Sequence, residues 1–312
     1  MTAGRDDLLA LSHAPPQRPN LPQEIILTYM SEQIFEERQM AAQYCMGDDG
    51  LLVEKVGPWA KRKHKILSDY AFASGGARTR FRSNGNAYID VFCGPGRSLI
   101  RTTGEYIDGS AVAVFKSGKA SPCPFTSIEV SDASSKLLGA AERRLTLLEA
   151  PVRPAKGPAR QAIAEIVDRL NPNGLHFAFL DPHNLGTLSF SLFQQLARLK
   201  YVDVLVHVSV ADLQRNAGRY SAEDYDQFDE FAPGWRNEVG VDMNNQALRG
   251  ALLRYWTGEI EALGLPRAEH CELVTGTRDQ RLYWLIFLAR HKLARKLWTA
   301  ISSEAKAPGF DF

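Results

Sequence analysis

Carboxylates at strand ends, a pair of spaced glycines, one Asp-Pro turn and a run of basic side chains are the residues of this chain placed to do chemistry. The densest stretch is 86–98, NAYIDVFCGPGRS. A short apolar run there reaches Asp90, then Phe92, then Gly94 and Gly96 with one residue between them. Strand, acid and glycine turn is how an open α/β sheet meets a nucleotide-type ligand. Glycine permits it, because a backbone without Cβ turns tightly and approaches a ligand closely. Glu129 ends a second apolar run, FTSIEV, and Asp181 follows a third, LHFAFL. Three acids thus fall where ligands bind in such sheets. Glu129 can accept from both hydroxyls of a ribose; its plainer role is a capping or surface acid.

Glycine spacing separates the cofactors. A dinucleotide fingerprint asks for a third glycine where this chain has Leu99, and the Gly-Lys-Ser/Thr string of a P-loop does not occur. The remaining pattern suits S-adenosylmethionine, which has no phosphate to neutralise. Its expected ligands are Asp90, Phe92, Gly94, Gly96, Ser110 and Glu129. Core packing is the alternative for Phe92 and Tyr88, and helix capping for Asp108 and Ser110.

The turn Asp181-Pro182-His183-Asn184 is where a transferred group would meet its acceptor. Proline stiffens it and removes a backbone donor. Asp181 can accept from an amino group or orient a hydroxyl, and His183 can act as a base or stack on a ring. These two are the expected catalytic residues, with a helix cap and a loop histidine as the plain alternatives. Lys61, Lys63 and Lys65 load one face of an expected helix over 58–72, and Arg80 and Arg82 follow it. They can grip phosphates, or form a solvated face.

Strands alternate with helical segments along the chain, which predicts a Rossmann-like, doubly wound, mostly parallel sheet of seven strands with helices on both faces. The last two strands, 271–275 and 282–289, are joined by residues 276–281, too few for a crossover helix, so they must form an antiparallel hairpin at one edge. That is the outline of class I methyltransferases. An arm with Pro15, Pro16, Pro19 and Pro22 and a helix over 30–45 are expected before residue 56. The Rossmann-like domain then runs over 56–312, with a helical insertion at about 213–268 and residues 97–108 as a plain connection.

Net charge of +1 gives no global case for nucleic acid. The four cysteines, Cys45, Cys93, Cys123 and Cys271, are scattered without a CxxC pair or a nearby histidine at zinc-ligand spacing. That predicts reduced thiols in a cytoplasmic protein and no metal site. No stretch is apolar for long enough to span a bilayer.

Taken together, segments 59–70, 88–96, Gly109-Ser110-Ala111, Ile128-Glu129, 179–184 and 282–291 resemble the three-Cys-motif partner proteins, a methyltransferase-like family of bacteria and phages. The resemblance covers about residues 58–301. It implies an S-adenosylmethionine-type Rossmann fold and a separate protein partner that bears three cysteines and is similar to radical S-adenosylmethionine enzymes. Val91, Cys93 and Ala111 replace the Gly, Ala and Pro of that pattern and change mainly volume. His183-Asn184 replaces a Phe/Tyr-Gly pair at the acceptor turn. The expected activity is methyl transfer to nucleic acid, with a non-catalytic partner subunit as the alternative.

Overall fold

The computed structural model describes residues 42–214, 227–239, 245–276 and 280–303. The proline-rich arm, most of the helix expected over 30–45, and parts of the insertion and of the last turn lie outside these. Strand β1 (Tyr44–Met46) and β2 (Leu52–Val56) come first, then α1 (Ala60–Ala73), β3 (Ala87–Asp90), β4 (Arg97–Ile100), β5 (Tyr106–Asp108) and α2 (Ser110–Lys119). There follow β6 (Ser127–Val130), α3 (Ser135–Leu147), β7 (Val152–Pro154), α4 (Ala159–Arg169), β8 (Leu175–Leu180), α5 (Phe190–Leu196) and β9 (Tyr201–Ser209). The chain then forms α6 (Asn245–Ala262), β10 (Glu272–Thr275), β11 (Arg281–Ala289) and α7 (Lys292–Ser302).

The main sheet has seven strands in the order β10-β11-β9-β8-β3-β6-β7. From β9 to β7 every neighbour is parallel, whereas β11 is antiparallel to both β9 and β10. Numbered along the chain within this sheet, the order is 3-2-1-4-5-7-6 with the seventh strand reversed. This is the class I methyltransferase arrangement, a Rossmann-like fold. Its topological switch lies at β3, whose neighbours are the strands that follow it in opposite directions, and ligands bind at the carboxyl edge there.

Side chains alternate across the sheet, so each strand feeds two cores. Ile89, Ala178, Val204 and Ile286 face α4, α5 and α6, where Ile163, Phe193 and Trp256 are buried. Tyr88, Ile128, Phe177, Leu205 and Phe287 face α1, α2, α3 and α7, against Tyr70, Val112, Leu138 and Trp298. Helix α1 buries Ile66, Leu67 and Tyr70 on this second face. Each such side chain contributes about 1.5–3 kcal/mol by leaving water.

Three expectations change. Residues 97–108 are no plain connection: β4 and β5 form an antiparallel hairpin, and β4 pairs in parallel with β2, giving a second sheet of order β1-β2-β4-β5. Tyr44–Met46 is accordingly a strand and not a helix end, and a boundary after residue 55 falls inside β2. The pairing of Glu54 with Ser98 ties the segment before α1 to the glycine loop. Of the insertion, 227–231, 235–238 and α6 are helical.

Candidate functional site

Asp90 is the last residue of β3 and is fully buried on the α1–α3 side of the sheet. Its Oδ2 accepts from the Tyr88 hydroxyl at 3.0 Å and the Ser110 hydroxyl at 2.5 Å, and Oδ1 accepts from the Phe92 amide at 3.3 Å. Burial pushes its carboxyl up to about 7, against the pull of the Ser110 and Tyr88 hydroxyls. Ser110 is therefore not a cap: Gly109 holds that position, and the Ser110 hydroxyl belongs to Asp90.

Gly94 and Gly96 both have positive φ, +54° and +78°. The two glycines do different work. A Cβ on Gly96 would lie 3.2 Å from the Ala141 Cα of α3, so Gly96 sets the approach of helix and loop. A Cβ on Gly94 would meet nothing nearer than Glu54 Oε2 at 3.9 Å, so Gly94 faces the open side. The Gly94 amide donates to Asp132 Oδ2 at 3.1 Å, and the Ser134 amide donates to Asp132 Oδ1 at 2.8 Å. Asp132 lies two residues beyond β6, in phase with Ile128 and Val130 and hence on the Asp90 side. Burial pushes its carboxyl up, opposed by these two amides.

Glu129 is not part of this site. It pairs in register with Ile89, whose side chain enters the other core, and its Oε2 accepts from the Arg169 guanidinium at the end of α4. Arg153 Nη1 lies 3.6 Å from its Oε1. Strand alternation turned the acid away from the loop, and Asp132 takes the position expected of it.

The second sheet brings further groups to the same edge. The Tyr44 hydroxyl is 3.5 Å from His183 Nε2, and the Gln43 amide nitrogen reaches His183 Nδ1 and Glu54 Oε1, each at 3.4 Å. Burial, then Glu54 and Asp132, push the Tyr44 hydroxyl well above the ordinary phenol range.

Beside His183, Asp181 sits among α1, β9 and β11. Lys63 Nζ is 2.5 Å from its Oδ2, and His207 Nδ1 is 3.3 Å from its Oδ1. The His207 ring packs edge-on to Tyr283 with centroids 4.2 Å apart, and Lys63 Nζ lies 5.7 Å from the Tyr283 ring centre. Burial raises the Asp181 carboxyl, but Lys63 and then His207 outweigh it and hold the group at about 2. Burial likewise lowers His207 to about 4, so its ring is neutral at pH 7. Lys63 stays charged: burial opposes the charge, and Asp181 more than offsets it.

Lys63 is therefore no phosphate ligand on a solvated face, since its side chain is 15% exposed and ion-paired. The other basic candidates are not gathered into one patch. Lys61 pairs with Glu105 and Lys65 with Asp69, each at 2.5 Å. Arg82 donates to the Pro122 carbonyl at 3.1 Å, while Arg80 lines a cavity beside the first residues of β8 and β9.

Asp90, Phe92, Gly94, Gly96 and Ser110 are thus together, with Asp181 and His183 nearby and Glu129 apart. Asp132, Tyr44, Glu54 and His207 were not anticipated. Only Asp132 left a readable signal, its phase with Val130. The edge fits a cationic cofactor: Asp132 and Glu54 lie there beside Asp90, Lys63 is already paired with Asp181, and Gly94 leaves room for backbone approach.

No protein-family model and no curated protein matches the chain. Solved structures do. The cofactor-bound Rv0187 protein from MTB is 15% identical, with TM-score 0.45, over 88% of this chain and all of that one. The Bacillus cereus O-methyltransferase in complex with SAH is 12% identical, with TM-score 0.44, over 86% and 93%. TomG from Streptomyces achromogenes, an O-methyltransferase in complex with SAM, is 14% identical, with TM-score 0.43, over 74% and 80%. Strand order and direction, not these weak superpositions, fix the fold class.

Proposed function

We propose that the protein binds S-adenosylmethionine at the carboxyl edge of β3 and β6 and transfers its methyl group to nucleic acid. The observation that carries this reading is the meeting of Asp90, the Gly94–Gly96 turn and Asp132 at the topological switch of the sheet. When bound, the cofactor supplies the activated methyl group. Asp132 retains lone pairs for the ribose hydroxyls, Gly94 admits the cofactor's chain, and Asp90 holds the loop through the Phe92 amide and Ser110. The acids of this edge suit a sulfonium charge. Nucleic acid is the acceptor class because Asp90-x-Phe92-x-Gly94-x-Gly96 followed by the Asp181-Pro182 turn resembles the arrangement in nucleobase methyltransferases.

One observation favours a second reading, a non-catalytic partner of a three-cysteine protein. Both Asp181 oxygens already face cations or ring nitrogens of the chain itself, Lys63 and His207. An acceptor amino group must displace or share them. Methyl-labelled cofactor incubated with the isolated protein and with DNA or RNA separates the two readings. Label in the nucleic acid, lost in Asp181→Ala, supports the enzyme. Cofactor binding without transfer, together with a stable complex on co-expression with a three-cysteine protein, supports the partner. A folded protein that millimolar S-adenosylmethionine does not stabilise contradicts the enzyme, since ligand at 100 times its Kd adds about 2.7 kcal/mol.

A further inference from the structure

The amino ends of β8 and β9 border a cavity of about 290 Å3, between those strands, the end of α1 and the start of α7. Strand direction creates it. Because β11 runs antiparallel to β9, with Ala289 opposite Asp203, Arg290 and His291 arrive beside the beginning of β9. The cavity shares the α1 face of the sheet with the Asp181 cluster but is separate from it. Asp203 and His207 are four positions apart on one strand, about 13 Å.

Three features define what fits there. The walls are apolar and aromatic: Phe81 packs edge-on to Tyr201 with centroids 4.9 Å apart, and Leu293, 63% exposed, lies at the cavity. Arg80, Lys200 and Arg290 line it with positive charge, and among the described residues none of them has a carboxylate at ion-pair distance. Arg290 donates to the carbonyls of Ala197 and Leu263 at two helix ends, and Lys200 lies over the Tyr201 ring, so dipoles and a ring face rather than carboxylates hold these two charges. The third feature is Asp203, a lining residue only 7% exposed. Its Oδ2 accepts from the Tyr70 hydroxyl at 2.6 Å, while its Oδ1 takes no hydrogen bond from the described residues. Arg78, the buried cation of this region, gives its hydrogens to Ser74, Ser121 and the Cys123 carbonyl.

A carboxylate accepts and does not donate. The complementary ligand is a flat heteroaromatic ring with N–H donors at one end and an anionic group at the other. Guanine presents two adjacent donors, its ring N–H and its amino group. Adenine places an acceptor nitrogen beside its amino group, which the carboxylate repels. We propose that this cavity binds a free guanine mononucleotide, with the base toward Asp203 and the phosphate among Arg80, Lys200 and Arg290. The site does not depend on the methyltransferase reading, since it shares none of that site's ligands.

Calorimetry of the full chain with GMP, repeated with saturating S-adenosylhomocysteine, tests the assignment. Saturable GMP binding that survives S-adenosylhomocysteine is expected, weakened about tenfold or more for guanosine, which lacks the phosphate, and for AMP, which misplaces the donor. The double variant R80A/K200A removes two exposed side chains and is expected to lose about tenfold in GMP affinity at unchanged melting temperature. Asp203→Asn, which can both donate and accept, is expected to shift preference from GMP toward AMP. Three results overturn the proposal: no saturable GMP binding at millimolar concentration, binding that S-adenosylhomocysteine abolishes and R80A/K200A leaves intact, or binding of a guanine-containing oligonucleotide but not of GMP.

Discussion

Asp90 ends β3, and Glu129 sits one position before the end of the neighbouring strand β6; both are fully buried. Asp90 faces the α1–α3 layer, where hydroxyls and an amide satisfy it and no cation among the described residues pairs with it. Glu129 faces α4, and Arg169 of that helix and Arg153 of β7 neutralise it. A buried acid matched by arginines is a structural strut. One held by hydroxyls and an amide shapes the glycine loop, and leaves Asp132 beside the open Gly94 as the acid a ligand can meet. The difference between the two layers is one step of strand alternation.

The contrast is sharpest in its pH dependence. With its carboxyl raised to about 7 against an unfolded value of ~3.9, Asp90 favours the folded state most when neutral. Its contribution is complete below ~4 and is lost as pH rises through about 7, on the order of 4 kcal/mol in all. Denaturant unfolding across this range should show that loss, and Asp90→Asn should remove it while Asp203, raised to about 6, keeps its own smaller slope. Equal slopes in wild type and variant would break the comparison.

Asp181 has the opposite sign. Its folded value near 2 lies below the unfolded one, so its stabilisation is present above ~4 and disappears as pH falls toward 2. Lys63→Met leaves this carboxylate uncompensated and should cost about 3 kcal/mol at pH 7, read as a lower urea midpoint. Much of the acid-induced loss of stability should vanish with it.

These residues also show what the sequence makes legible. Strand β3, the glycine turn and the closing antiparallel hairpin follow from local patterns, and all are present. Lys63 was misread by residue type: it stands three, four and seven positions before Ile66, Leu67 and Tyr70, on the buried face of α1, but a lysine in a basic run reads as solvated. Glu129 was misread because it is the conspicuous acid of its strand, although its phase opposes Asp90. The pairing of β2 with β4 is a long-range register that local patterning does not encode, so Tyr44 and Glu54 were out of reach.

Other ion pairs contribute less. Glu129→Gln weakens the pair with Arg169 and should cost about 2 kcal/mol in thermal or urea unfolding, less than a fully buried pair because Arg169 is partly exposed and keeps Glu165. Lys61→Ala and Lys65→Ala remove exposed ion pairs and should each change stability by under ~0.5 kcal/mol.

Calorimetric titration of S-adenosylmethionine into wild type, Asp132→Ala and Glu129→Gln tests the central contrast most directly. Saturable binding to wild type is expected, with affinity lowered about 10- to 100-fold in Asp132→Ala through loss of charged hydrogen bonds, and affinity within about twofold of wild type in folded Glu129→Gln. Weakening by Glu129→Gln with Asp132→Ala unaffected would contradict it.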